Sequence, residues 1–225
     1  MGHGDKEMVG RASNQLFLAV GGVALLFMMI ALIWNRGLLA LLYGNVEADV
    51  MNAARIYFYI VAVSFPFLGI YNGGAALFRA VGDSKVSMKV SLVANLVNIA
   101  GNAILIYGFH RGTEGVAIPT LVSRMTAAII IIALLCDEKR TLHIERTWRY
   151  RINWEMVKKI LSIGVPNGLE NSMFQLGKII VLSLVSTFGT YAIAANAVSN
   201  AIALFQILPG MAITLAITPV ISRCV

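Results

Sequence analysis

Long apolar stretches alternate with short polar connections along this chain. The apolar runs occupy 16–34, 56–78, 90–109, 115–136, 160–187 and 194–221. Each is close to the ~20 residues that cross a ~30 Å hydrocarbon layer as a helix. Alternating segments of about ten residues bounded by turns, the pattern of a membrane β-barrel, do not occur. The pattern predicts six membrane-spanning helices and an all-α, polytopic fold. The first span carries Gly21 and Gly22 inside it, and the boundary between the last two is thinly marked.

The polar connections set the organisation. Residues 1–14 lead into the first span. Residues 35–52 form a connection with a short interfacial helix around Leu38–Tyr43. The stretch RAVGDSKVSMK (79–89) is a tight turn built on the dipeptide Gly82-Asp83. Residues 109–114 are a short loop. The segment 137–159 is the long polar one, with seven basic and four acidic residues together with Trp148, Tyr150 and Trp154. Aromatic and basic residues together suit a segment lying along a membrane interface. The expected division is a four-helix block over 1–136, a linker over 137–159 and a two-helix block over 160–225. No internal repeat is visible.

Composition agrees. Hydrophobic residues make up 58% and charged residues 13% of the chain, where a soluble domain carries about 25% charged. The net charge of +7 would suggest nucleic acid in a soluble protein. Here its distribution points to topology instead. Lys6 and Arg11 precede the first span; Arg79, Lys85 and Lys89 follow the second; Lys139, Arg140, Arg146, Arg149, Arg151, Lys158 and Lys159 follow the fourth; Arg223 closes the sixth. The alternate connections hold only Arg36, Arg55 and Arg111. Lys and Arg mark cytoplasmic loops. The expectation is a multi-pass protein of the cell inner (plasma) membrane with both chain ends cytoplasmic and no nucleic-acid partner. Cys136 and Cys224 lie at predicted cytoplasmic helix ends, where a structural disulfide is not expected. No cleavable signal peptide is expected either.

Ionisable residues within a span cost on the order of 2.5–3.5 kcal/mol at its centre and so mark function or a specific partner. Three qualify: Arg124, Glu170 and Lys178. Glu170 lies in SIGVPNGLENSMFQLGK, where Asn167, Asn171, Gln175 and Lys178 fall within about 80° on an ideal helix and Glu170 borders them. Glu170 and Lys178 are separated by about 12 Å of axial rise, too far for a simple ion pair. They suit one cavity at two depths. Glu170 is a candidate proton or cation carrier; the alternative is a cap or a bond to a neighbouring helix. Lys178 is a substrate-site candidate or a snorkelling side chain. A second polar stripe, Ser91, Asn95, Asn98 and Asn102, shares one face of the third span. Asn95 suits a bond between helices, and Asn98 and Asn102, deeper in the span, are cavity candidates. Arg124 fits a structural pairing at a helix break better than an anion site. Gly69 with Gly73, and Gly164 with Gly168, are spaced for close helix approach. Pro66, Pro119, Pro166, Pro209 and Pro219 fall in apolar runs and permit bending. No nucleotide-binding GxxxxGK[ST], HExxH or CxxC is present, so neither an enzyme nor an ATP-driven pump is supported. No cofactor and no metal site are expected.

Several segments resemble the multidrug and toxic compound extrusion (MATE) transporters. GHGDKEMVGRASNQLFLA is similar to the stretch after their second helix. GGAALFRAVGDSKVSMKVSLVANLVNIAGNAILIYG is similar to their fourth helix, cytoplasmic turn and fifth helix. GTEGVAIPTLVSR resembles the start of the sixth, and LSIGVPNGLENSMFQLGKIIVLSLVSTFGTYAIAANAV the seventh and eighth. The resemblance implies a twelve-helix fold of two six-helix lobes, with this chain supplying helices three to eight. It implies exchange of Na⁺ or H⁺ for drug-like, often cationic, compounds by a protein that is monomeric when full length. A first-helix acid of the family has no counterpart here, and its seventh-helix acid aligns nearer Phe174 than Glu170. Asn98 and Asn102 match the family's polar fifth-helix positions. The competing functions are a lipid-linked oligosaccharide flippase of the same superfamily shape and an inactive membrane fragment. The turn motif favours the antiporter.

Overall fold

The structure is a computed structural model, and it describes residues 6–43, 48–136 and 154–224. Every regular element among them is helical: α1 (Lys6–Ile33), α2 (Asn35–Tyr43), α3 (Ala48–Val63), α4 (Phe65–Ala80), α5 (Ser84–Ala103) with a π-helical turn (Ile104–Gly108), α6 (Glu114–Leu135), α7 (Trp154–Ser186) and α8 (Thr190–Cys224). The chain divides into two compact units, Met1–Ile152 and Asn153–Val225.

In the first unit, α4, α5 and α6 pack on one another, and α1 and α3 pack on that group. Its core joins Leu77 and Phe78 of α4, Val86 and Val90 of α5, and Ala127, Ile131 and Leu135 of α6. Small residues bring these helices together. A Cβ at Gly69 would meet Ala24 of α1 at 3.0 Å, and one at Gly73 would touch Phe17 at 3.8 Å. Gly74 lies directly against Ile131. The Gly69–Gly73 pair thus seats α4 on α1, as its spacing predicts. Outward, the unit is apolar: Leu26, Phe27 and Ile33 of α1 are exposed, Ile33 at 70%. Such a surface suits lipid, where burying aliphatic side chains brings no gain over leaving them in hydrocarbon.

The helices break where the sequence demands it. Pro66 sits in the first turn of α4, where its missing N–H costs nothing but prevents continuation from α3. The two halves, Met51–Val63 and Phe65–Ala80, meet at 43°. The predicted second span is therefore a broken one. After α4, the amides of Gly82 and Asp83 donate to the carbonyls of Arg79 (3.0 Å) and Phe78 (2.9 Å), with Gly82 at φ +88°. This is a Schellman cap, and it requires the left-handed residue that glycine supplies. The helix resumes at Ser84, so the turn is shorter than the predicted 79–89. α1 runs unbroken through Gly21 and Gly22, and α2 takes the place of the short helix expected around Leu38–Tyr43.

Five predicted spans coincide with apolar stretches long enough to cross a membrane: Ser13–Ile33, the bent α3–α4 pair, Ser84–Gly108, Glu114–Leu135 and Ala194–Ile217. The run at 160–187 falls in α7, which has the length at 33 residues. Asn167, Glu170, Asn171, Gln175 and Lys178 make it less apolar than the others. Of the predicted linker, residues 137–153 lie outside the described residues, and 154–159 form the first turns of α7. The side chains of Cys224 and Pro219 also lie outside them.

The second unit is a hairpin of α7 and α8. It turns at Gly189, φ +94°. Nearly all its described side chains are exposed, Phe205 at 76%. Gly164 and Gly168 have open space where a Cβ would project, so among the described residues this second glycine pair seats no helix.

Candidate cation and substrate site

α5 and α6 come close together at Gly101. A Cβ there would lie 2.8 Å from Cβ of Pro119. This contact brings the polar face of α5 against Thr120, the residue after Pro119. Thr120 Oγ1 donates to the Val116 carbonyl one turn earlier at 2.9 Å. It accepts from Asn98 Nδ2 at 3.3 Å. Asn98 Oδ1 in turn accepts from Asn102 Nδ2 at 3.1 Å. The chain of donors runs from Asn102 through Asn98 to Thr120 and ends on the Val116 carbonyl, which accepts. At its start stands Asn102 Oδ1, a buried carbonyl oxygen with no hydrogen-bond partner. An amide carbonyl is acceptor only. Left unmatched in a buried position it costs about 1–3 kcal/mol. It is thus an oxygen ready for a cation or a donor group, with its orientation held by Asn98.

Asn95, on the same predicted stripe, is exposed rather than placed between helices. Ser91 is half-buried. The stripe therefore divides: its deeper half meets α6, while Asn95 faces outward.

The α7 group is arranged differently. Glu170, Asn171, Gln175 and Lys178 are all exposed. Asn171 Nδ2 donates to the carbonyl of Asn167 at 2.9 Å and to its Oδ1 at 3.0 Å. Lys178 Nζ stands 4.8 Å from the centre of the Phe174 ring, a cation–π contact within the helix. Asn171, Gln175 and Ile179 border a shallow groove along the same face. Among the described residues Glu170 has no hydrogen-bond or ion-pair partner. The polar face of α7 is satisfied within its own helix or is open.

Arg124, one turn after Thr120 on α6, reaches the α3–α4 break. Its Nη1 donates to Ser64 Oγ at 2.5 Å, and Ser64 Oγ donates to the Val61 carbonyl at 2.6 Å. Ser64 is 0% exposed. The intramembrane cation thus braces a helix break, the structural role its sequence context favoured. Ser64 and Thr120 were not singled out by the sequence. The signals for them were local: a serine two residues before Pro66, and a threonine directly after Pro119.

The MatE family model matches residues 1–104. Over 173 residues the chain is 30% identical to the probable multidrug resistance protein YoeA of Bacillus subtilis, covering 74% of this chain and 36% of that protein. It is 25% identical to the probable multidrug resistance protein NorM of Thermotoga maritima, covering 99% of this chain and 48% of that one. It is 24% identical to the multidrug export protein MepA of Staphylococcus aureus, covering 92% and 46%. The chain spans at most about half the length of these curated relatives. With its apolar helices, its broken second span and these matches, the chain is a multi-pass α-helical membrane protein and belongs to the MATE family.

Proposed function

We propose that this chain works within a secondary active multidrug efflux transporter that exchanges Na⁺ or H⁺ for drug-like, often cationic, compounds. The observation that carries the reading is that relatives matched over nearly the whole chain are named for multidrug resistance and export. In this reading the unmatched Asn102 Oδ1 is an oxygen ligand for the coupling cation or for a cationic group of the substrate. Asn98 and Thr120 hold its amide in place. Glu170 is the carboxylate that gains and loses a proton or cation, and Asn171, Gln175 and Lys178 line the substrate path beside it. The Lys- and Arg-rich connections face the cytoplasm and the protein resides in the cell inner membrane. The full-length protein acts as a monomer.

Drug efflux from cells expressing the full-length gene tests this, with Na⁺ and pH gradients varied separately. Efflux should follow one of the two gradients; gradient-independent accumulation sinks the proposal. Asn102→Leu removes an oxygen worth about 1.5–3 kcal/mol to a charged partner. It should raise the half-saturating cation concentration about tenfold or more. Glu170→Gln should abolish coupling. Wild-type transport by that variant would remove Glu170 from the mechanism while leaving the Asn102 assignment standing.

A further inference from the structure

A groove of about 370 Å³ runs between the start of α5 and the end of α6. Its mouth carries Lys85 and Lys89, one turn apart on the same face of α5. Its walls are Val90 and Val93 of α5 and Ile130 and Leu134 of α6. From Lys85 to Val93 the groove descends about 12 Å. The cationic end lies at the terminus of both spans, and the apolar part lies within them.

The charges at the mouth are unbalanced. Among the described residues neither lysine makes an ion pair or a hydrogen bond. Like charges at this spacing repel mildly, so an anion between them relieves a cost as well as gaining attraction. The neighbouring Arg79 is committed elsewhere, donating to Ser87 Oγ at 3.0 Å. Asp83, also at the mouth, is engaged in an interaction of its own.

A phosphate at the lysines with a hydrocarbon chain below them fits this layout in both charge and polarity. A soluble anion would leave the valine, isoleucine and leucine walls empty. We propose that the α5–α6 groove is a binding site for an anionic phospholipid, its headgroup phosphate held by Lys85 and Lys89 and one acyl chain lying along Val90, Val93, Ile130 and Leu134. Basic pockets between membrane helices recognise such headgroups.

Native mass spectrometry of the detergent-purified chain, equilibrated with phosphatidylglycerol or phosphatidylcholine, tests the site. Wild type should retain phosphatidylglycerol in clear preference to phosphatidylcholine. Retention should fall roughly fivefold for each lysine removed in K85Q and K85Q/K89Q. K85R/K89R should keep it. Val93 is partly exposed, so Val93→Trp fills the groove without disturbing the core; it should lower retention with both lysines intact. Equal retention of the two lipids, or unchanged retention in K85Q/K89Q, overturns the proposal. So does an equal loss in K158Q/K159Q, which would mean diffuse attraction to basic residues. Complete displacement by inorganic phosphate with no effect of Val93→Trp would make this a bare phosphate site and overturn the lipid assignment.

Discussion

Two polar faces of similar composition meet different fates in this protein. Asn98 and Asn102 on α5 are drawn against α6 by the Gly101–Pro119 contact and enter a chain of hydrogen bonds between helices. Asn167 and Asn171 on α7, at the same spacing of four, bond within their own helix and stay exposed. Amide pairs one turn apart look alike along a sequence. What separates them is whether a small residue lets a neighbouring helix close over them. Gly101 does so for α5, whereas Gly164 and Gly168 meet nothing among the described residues. The same contrast holds for the charged residues. Arg124 is clamped on Ser64 between helices, while Lys178 rests on Phe174 of its own helix.

Substitutions that remove interhelical contacts should therefore act strongly in the first unit and weakly in the second. The largest effect is expected from Ser64→Ala, which takes a fully buried acceptor from the half-buried Arg124. It should cost about 1.5–3 kcal/mol in reversible unfolding in detergent micelles. Ser172→Ala, which removes an exposed bond to the Gly168 carbonyl, should change stability by less than about 0.5 kcal/mol. If the two cost the same, the contrast between clamped and open faces is wrong. Next is Gly101→Val. Its side chain would push α5 off Pro119 and cost about 1–3 kcal/mol by overpacking, seen as a lowered midpoint of thermal unfolding. Gly168→Val should not lower that midpoint.

One pair should ignore the contrast. Gly82 and Gly189 both turn the chain at positive φ, one in each unit. Gly82→Ala and Gly189→Ala should each cost about 1–2 kcal/mol, because the penalty is in the residue's own backbone. A large difference between them would show that packing dominates even at the turns. The smallest effect sharpens the comparison most. A double-mutant cycle of Asn98→Leu with Thr120→Val should give a coupling of about 0.6 kcal/mol. The cycle of Asn167→Leu with Asn171→Leu should give about 0.2–0.5 kcal/mol. Equal couplings would mean that the α5–α6 bond adds nothing beyond a bond on one helix surface.

Much of this molecule was legible along the chain. Apolar runs of about twenty residues can be satisfied only as helices in hydrocarbon, since every backbone group must bond within its own segment. That alone determined the all-α character and placed five spans close to where they lie. Pro66 and the Gly82-Asp83 turn are likewise local, because ring closure and a left-handed φ restrict the residue that carries them. Tertiary structure decided the rest. Whether Asn95 or Asn102 faces a neighbour depends on which helix lies opposite, and a periodicity of 3.6 defines a face without naming its partner. Thr120 and Ser64 became partners of Asn98 and Arg124 only because α6 packs against both α5 and the α3–α4 pair. A hydroxyl in a helix ordinarily bonds its own preceding turn. Only contact with residues 22 and 60 positions away gave each of these a second role.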